Sequence, residues 1–283
     1  MKERSEISIR KRERIIRPKK GLIGIDFTEL FAYRELFLFL AWRDILVRYK
    51  QTYVGIAWAV LVPFLTMVVF TLVFGKMGGF DSKGAPYAVL TLAALLPWNY
   101  FSNAVAESSN SLVATSNLVS KVYFPRLAIP FSSVLSGTVD FCVAMVILVV
   151  MMLYFNVAFT LHLLMLPVFF AMAFATALAV GLWLSSLNVK FRDVKYVVPF
   201  IVRIGLYISP VGFMTDLVPK KYLLLYSLNP MVGVIDGFRW SVLGDAFEPY
   251  WPGFFLGLGM TVLLVVSGLI YFRNTEKTFA DVI

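Results

Sequence analysis

An uncharged run of 49 residues, 141–189, constrains the fold of this chain more than any other feature of its sequence. An α-helix needs about 20 apolar residues to cross a bilayer. The run therefore suits two crossings joined by a short turn near residues 156–162. Over the whole chain 59% of residues are hydrophobic and 15% are charged, and a soluble globule cannot bury that much apolar surface. The sequence predicts a polytopic membrane protein rather than a soluble enzyme.

Four other stretches have the length of one crossing each. They are the uncharged residues 51–75, 84–106 and 249–272, and residues 196–215, which contain a single charge. The third span begins near Leu127 and includes Asp140. The sequence therefore predicts an all-α membrane protein with six transmembrane helices over residues 51–273.

Basic residues favour the cytoplasmic side for both ends of the chain. Residues 1–50 hold 13 of the 26 Lys and Arg residues. The polar, basic tail 1–25 has no apolar run that could act as a signal-peptide core. It can contact anionic lipid headgroups, and no nucleic-acid-binding module accompanies it. Tail 1–25 and the C-terminal tail 274–283 are both predicted to lie in the cytoplasm.

Residues 26–50 predict an amphipathic helix in the inner interface of the membrane. Charged residues interrupt the apolar stretch 36–42 on both sides, and charges are costly in mid-membrane. Asp26 and Glu29 have the spacing of a capping box, which marks a helix start. The alternative, a seventh crossing, would place the basic N-terminus outside.

Residues 214–250 are too apolar for a plain loop. Pro219, Pro230 and Pro249 divide them into short apolar pieces. Such pieces are typical of re-entrant helices, which the membrane tolerates only where protein or a water-filled cavity surrounds them. We therefore expect an outer gate segment at the mouth of a pathway.

Few residues of the membrane domain suggest chemistry. The chain has no GxxxxGK[ST] phosphate-binding loop, and a single cysteine and a single histidine disfavour a metal site. Asp140 and Arg203 are candidates for an intramembrane ion pair, because ionisable groups in spans usually have a partner. Such a pair could be structural, the groups could snorkel to the inner face, or they could relay protons in a secondary carrier.

Aromatic residues on the second and fifth spans and in the outer segment are candidates for lining a channel. Aromatic faces suit sugar rings, and Tyr and Trp add hydrogen-bonding groups. The alternative is the ordinary belt of Trp and Tyr at headgroup level. The candidates are Trp98, Tyr100, Phe101, Tyr207, Phe213, Tyr222, Phe238 and Trp240.

The connection 108–130 leaves the membrane and carries aromatic and basic residues on residues 117–126. Exposed aromatics on a short cytoplasmic segment suggest docking to another protein. The alternative, compatible with docking, is packing against the interface helix of the same chain.

Several blocks together resemble the permease subunit of ABC-2 polysaccharide exporters. The blocks are residues 53–75, 96–101 (LPWNYF), 108–130, 188–199 (NVKFRDVKYVVP) and 229–244. The nearest members of that family export lipid-linked O antigen, and teichoic acid and capsule exporters are relatives. The resemblance extends from about Arg34 to Arg273.

The resemblance implies a homodimeric, aromatic-lined channel in the bacterial inner membrane, with two separate ATP-binding subunits docked below it. ATP and Mg²⁺ would bind to those subunits and not to this chain, and the substrate would be an undecaprenyl-linked polysaccharide. The family places an interface helix before the first span, a coupling helix on residues 117–126 and gate helices between the last two spans. The residues expected to contact the ATPase are Lys121, Tyr123, Phe124, Arg126, Arg43, Arg48 and Arg192.

Two rival functions remain at this stage. A proton-coupled carrier would use Asp140 and Arg203. A membrane-embedded enzyme acting on lipid-linked sugars would need convergent carboxylates at an interface, and the sequence offers no convincing set.

Overall fold

The structure is a computed structural model that describes residues 31–50, 55–80, 82 and 84–279. These residues form helices and connecting turns, with no strand among them. The predicted basic tail 1–25 and the helix-start signal at Asp26 and Glu29 lie outside the described residues.

The described part of the chain forms ten α-helices. In chain order they are α1 Arg34–Tyr49, α2 Gly55–Phe70, α3 Tyr87–Ala114, α4 Ser116–Lys121, α5 Ala128–Tyr154, α6 Leu166–Lys190, α7 Val194–Ile208, α8 Leu223–Tyr226, α9 Pro230–Leu243 and α10 Trp251–Glu276. The π-helical turn Thr71–Met77 continues α2, and the 3₁₀ turn Leu161–Met165 leads into α6.

Within the described part of the chain, four helical segments are long and apolar enough to cross a membrane. They are Ala57–Met77, Ala128–Tyr154, Leu161–Lys190 and Trp251–Glu276. The long uncharged run therefore divides into two helices, and its turn contains Asn156 with φ of 53°. Asparagine adopts this left-handed conformation more readily than most residues.

The other two predicted spans fall on α3 and α7, which are not among these four segments. α3 has 28 residues, but Pro97, Asn99 and Tyr100 lower the hydropathy of its middle. α7 has only 15 residues and ends at Ile208, seven residues before the predicted end. Ser209 is extended because it precedes Pro210, and a residue before proline disfavours the helical conformation.

Helix α3 is the centre of the bundle. Every residue from Ala88 to Trp98 is buried, and α3 packs against α5, α6 and α9, with further contacts to α2 and α7. α6 packs in turn against α10, and α1 lies along α5. The first half of α3, from Ala88 to Trp98, is therefore surrounded by protein.

Helix α1 covers the described part of the predicted interfacial helix. Leu40 and Ala41 are buried, whereas Leu38, Phe39 and Trp42 are exposed. One side of α1 therefore packs on the bundle, and large apolar side chains remain on its outer surface.

Candidate coupling and transport sites

The hook, defined as residues 116–127, comprises the short helix α4 and the loop that leads into α5. Tyr123 is 65% exposed and its neighbours Lys121 and Val122 are also exposed. Phe124 is only 6% exposed. The ring of Phe124 is therefore packed within the chain, and its predicted contact with an ATPase stays a prediction.

A buried apolar cluster, which we call the hook cluster, holds Phe124 in place. Its members include Leu40, Leu112, Val119, Phe124, Phe272 and Phe279. The rings of Phe272 and Phe279 are fully buried and meet edge to face, with centroids 5.4 Å apart. The cluster joins α1, α3, the hook and the C-terminal end of α10. The expected packing of the hook against the interface helix is thus present.

Arg126 fastens the hook to the end of α10. Its backbone N–H donates to Oε1 of Glu276 over 3.3 Å, and its guanidinium donates to the Glu276 carbonyl. Arg273 Nη1 donates to Oε2 of the same carboxylate over 3.0 Å. A cation near the last carbonyls of a helix is favourable. Arg126 was predicted to contact the ATPase, but the structure gives it a partner within the chain.

An ion cluster connects α1 to the bundle. Arg48 forms ion pairs with both Glu107 and Asp140, and the Tyr49 hydroxyl donates to Asp140. The packing of α1 along α5 brings these groups together. The structure therefore corrects two predictions: Arg48 is not a free cation for the ATPase, and Asp140 pairs with Arg48 rather than with Arg203, which is exposed on α7.

The electrostatics of the ion cluster follow from its partial burial. Burial disfavours the charged form of Arg48, but the two carboxylates outweigh burial and raise the pKa of its guanidinium. Burial, followed by the hydrogen bond to Asp140, raises the pKa of Tyr49 to about 12. Arg48 is therefore charged and Tyr49 is neutral at physiological pH, which fixes the direction of both contacts.

The remaining predicted coupling cations differ in accessibility: Lys121 and Arg192 are exposed, whereas Arg43 is half-buried. Arg43 donates to Oδ1 of Asp44 over 2.7 Å, and both residues line a pocket of about 390 Å³ beside Glu107. Arg192 is exposed in the turn between α6 and α7. Contact of Lys121, Arg43 and Arg192 with an ATPase stays a prediction.

The predicted channel aromatics divide into two groups. Trp98, Tyr100 and Phe238 are buried within the chain. The ring of Tyr100 lies 4.8 Å from that of Phe170, and its hydroxyl donates to the Val134 carbonyl over 3.2 Å. In this structure the three residues fill the contacts of α3 and α9 with neighbouring helices, and a channel role for them stays a prediction.

The other candidate aromatics are more accessible. Phe101, Phe213 and Trp240 are half-buried, whereas Tyr207 and Tyr222 are exposed. A channel role for these five residues stays a prediction.

A fully buried arginine organises the outer segment, and the sequence analysis missed it. Arg239 on α9 donates from Nε to the carbonyl of Leu90 over 3.3 Å, and from its two terminal nitrogens to Phe213 and Val211, each over 3.0 Å. Asp236, one turn earlier, accepts from the Thr215 hydroxyl over 2.8 Å. An aspartate and an arginine three residues apart in an otherwise apolar helix were the available signal.

Side chains from three directions hold the outer loop, defined as residues 209–214. Tyr87 donates to the Gly212 carbonyl, and Asn229 Nδ2 donates to the Ser209 hydroxyl over 3.0 Å. Just before the loop, the Tyr226 hydroxyl donates to the Ile208 carbonyl over 2.7 Å. Together with Arg239, the two tyrosines satisfy backbone carbonyls left over where α7 ends, and Asn229 holds the Ser209 side chain.

Potential metal-ligating side chains are not clustered in the described part of the chain. Among the residues that the structure describes, no three His, Cys, Asp or Glu side chains lie close enough together to hold a metal ion. The bundle of long apolar helices, with a hook at one end and a clamped outer segment, defines a multi-pass membrane protein.

Comparison with known proteins identifies the family. Residues 35–243 match the family model described as ABC-2 type transporter, which covers most of the chain. The chain belongs to this family of transporter membrane subunits, and the resemblance noted in its sequence blocks is confirmed.

The similar curated proteins include several export permeases. The chain is 26% identical over 255 residues to the O-antigen export system permease protein RfbA of Myxococcus xanthus, covering 89% of this chain and 97% of the relative. It is 24% identical over 250 residues to the protein of the same name in Klebsiella pneumoniae, covering 88% and 95%. It is 22% identical over 239 residues to the polysialic acid transport protein KpsM of Escherichia coli, covering 83% and 91%.

Proposed function

We propose that this chain is the membrane permease of an ATP-driven exporter that moves an undecaprenyl-linked polysaccharide of the O-antigen type out of the cytoplasm. The observation that carries the proposal is the hook: Tyr123 is exposed while Phe124 and Arg126 fix the segment to three other helices. A rigid, exposed knob that is tied to the bundle is suited to transmit movement from a partner protein.

The proposed arrangement in the inner membrane has six crossings, with both termini in the cytoplasm. α2, α3, α5, α6, α7 and α10 would form the crossings. The central position of α3 supports its inclusion, because its residues from Ala88 to Trp98 are buried among neighbouring helices. α1 would lie in the inner interface, with the exposed side chains of Phe39 and Trp42 toward lipid.

The energy for transport would come from outside the chain. The sequence contains no phosphate-binding loop, and the family consists of ABC transporter membrane subunits. Two ATP-binding subunits, with ATP and Mg²⁺, would therefore grip the cytoplasmic surface. Their closure would push the hook, and the hook cluster would pass the movement to α1, α3 and α10.

The pathway would form between two copies of the chain. A long polar glycan needs a continuous water-filled route, and two bundles related by a two-fold axis can enclose one. The exposed apolar faces of α2 and α7 leave surface for a second copy. The likeness to O-antigen export permeases favours an O-antigen substrate, and the likeness to a polysialic acid transport protein makes capsular polysaccharide the second candidate.

A proton-coupled carrier is the weaker alternative. Its motivation was a pair between Asp140 and Arg203, whereas Asp140 is engaged by Arg48. Asp140 would then stabilise the ion cluster rather than carry protons.

The hook can be tested with the cognate ATP-binding subunit, identified by its co-purification with this chain. Tyr123→Ala removes the most exposed aromatic side chain of the hook and should reduce both co-purification and glycolipid-stimulated ATP hydrolysis. Tyr154→Ala, also exposed but at the far end of α5, is the matched control. Equal recovery and equal ATP turnover for both variants would contradict docking through the hook.

A further inference from the structure

The outward surface of α7 carries two parallel stripes of side chains. Tyr196, Phe200, Arg203 and Tyr207 have spacings of four, three and four residues, which places them on one face of the helix. All four are exposed, the three aromatic residues by 64–70%. We call them the aromatic stripe.

The second stripe has the same spacing but a different chemistry. It consists of the exposed residues Val197, Ile201, Ile204 and Ile208, and we call it the aliphatic stripe. At about 100° per residue, it lies next to the aromatic stripe on the helix surface. Each position in one stripe therefore has a neighbour of opposite character in the other.

The packed side of α7 fixes the direction in which the aromatic stripe faces. Val198 is buried, and a Cβ atom on Gly205 would lie only 2.8 Å from Cη2 of Trp98 on α3. At about 100° per residue, the mean direction of the aromatic stripe is about 170° from Val198. The stripe thus points directly away from the rest of the chain.

Arg203 indicates which surroundings the aromatic stripe faces. It lies nine residues after Val194, which is about 14 Å along the helix axis. Its side chain is exposed, and among the residues that the structure describes no ion pair or hydrogen bond involves it. A cation at this depth is costly when it faces hydrocarbon and is found facing a water-filled cavity or an opposite charge. The aliphatic stripe has no such requirement and suits lipid or a second copy.

We propose that the aromatic stripe of α7 lines the transport pathway and that Arg203 binds an anionic group of the passing glycolipid. The guanidinium is planar and presents paired donors to a phosphate or a carboxylate. Tyr196, Phe200 and Tyr207 offer faces for sugar rings on either side of that contact. The inference rests on the proposed function, and it adds an anion site within the membrane domain.

The first test asks which stripe faces water. The single native cysteine is replaced by Cys142→Ser, and cysteine is then placed at Phe200 or Tyr207 in one stripe and at Ile204 or Ile208 in the other. Each variant is assembled with its ATP-binding subunits in vesicles and treated with a charged, membrane-impermeant thiosulfonate. Because only the thiolate reacts and apolar surroundings suppress it, the aromatic-stripe positions should react at least about tenfold faster. Equal rates in the two stripes would overturn the proposal.

The second test asks whether Arg203 binds an anion and which one. Binding of farnesyl diphosphate, farnesol and a glucuronate-containing oligosaccharide to the assembled complex is compared for the wild-type chain, Arg203→Gln and Arg203→Lys. Loss of the bidentate contact in Arg203→Gln should weaken diphosphate binding about tenfold and leave farnesol unchanged, with part of the affinity restored by lysine.

The remaining outcomes of that test are also decisive. A loss confined to the oligosaccharide would support the anion site and assign it to acidic sugars. Unchanged binding of both anions would refute it. If ATP-binding subunits fail to assemble with the wild-type chain, the proposed function fails instead, so the two failures are distinguishable.

Discussion

Replacing Arg239 by methionine removes a buried clamp while keeping a long side chain in its place. The guanidinium of Arg239 donates to the carbonyls of Leu90, Val211 and Phe213 and is fully buried. Arg239→Met leaves these three acceptors without that donor. It also removes the positive charge one turn away from the buried Asp236.

The expected loss of stability follows from those contacts. Hydrogen bonds to a charged group contribute about 1.5–3 kcal/mol each, so three give a gross loss of about 5–9 kcal/mol. Relief of the desolvation of the cation offsets part of this loss. Removing one member of a buried charged network typically costs about 3–5 kcal/mol, and we expect the free energy of unfolding to fall by that amount.

Thermal unfolding of the purified protein in detergent measures the effect. A loss of about 3–5 kcal/mol in a chain of this size corresponds to a Tm lower by about 10 °C. Lys220→Met, which changes an exposed cation of the same outer segment, is the control and should shift the free energy by less than about 0.5 kcal/mol. Cleavage of the outer loop by protease should accelerate only in Arg239→Met. A Tm change no larger than that of the control would refute the clamp.

Three further predictions concern the inner end of the bundle. Phe279→Ala opens a cavity in the hook cluster and should lower the free energy of unfolding by about 3 kcal/mol. Phe255→Ala, at an exposed site, should change it little. Equal shifts of the two variants in denaturant or thermal melts would contradict this prediction. Arg48→Gln leaves two carboxylates close together and should lower the free energy of unfolding by about 1–2 kcal/mol, a modest loss because partial exposure screens the charges. Arg48→Lys should recover part of that stability. Equal melting curves for the two variants would argue against the ion cluster. Glu276→Gln should loosen the hook and accelerate proteolysis near Tyr123 without changing the Tm by more than about 3 °C. Unchanged proteolysis would contradict a role for the Arg126–Glu276 contact in holding the hook.

Local sequence signals sufficed for the long helices. The uncharged run 141–189 predicted two helices and a turn, and the structure places Asn156 in that turn. The length of an uncharged stretch decides whether it can cross a membrane as a helix, and this length is a local property of the sequence. The same counting extended α7 too far, because it did not consider the effect of Pro210 on Ser209.

Long-range pairing could not be read from the sequence. Arg48 and Asp140 are 92 residues apart, and their contact depends on how α1 lies against α5. Arg203 looked like the better partner because it was the basic residue inside a predicted span. Depth along a helix, however, gives no information on the direction of a side chain around it.

The aromatic candidates illustrate the same limit. Tyr100 and Tyr207 both lie within predicted spans, yet one is buried against Phe170 and the other is exposed. Aromatic rings fill helix contacts as readily as they line pathways. The two stripes of α7 became informative only when the packed side of that helix was known.

The central claim is that the free energy for transport comes from ATP hydrolysis in separate subunits and not from this chain. Vesicles containing the chain alone, the chain with its ATP-binding subunits, or the chain with subunits that cannot hydrolyse ATP should be loaded with lipid-linked O antigen on the cytoplasmic side. We expect the glycan to reach the opposite side only in the complete vesicles supplied with Mg²⁺ and ATP. Accumulation of glycan in vesicles that hold the chain alone would contradict the account.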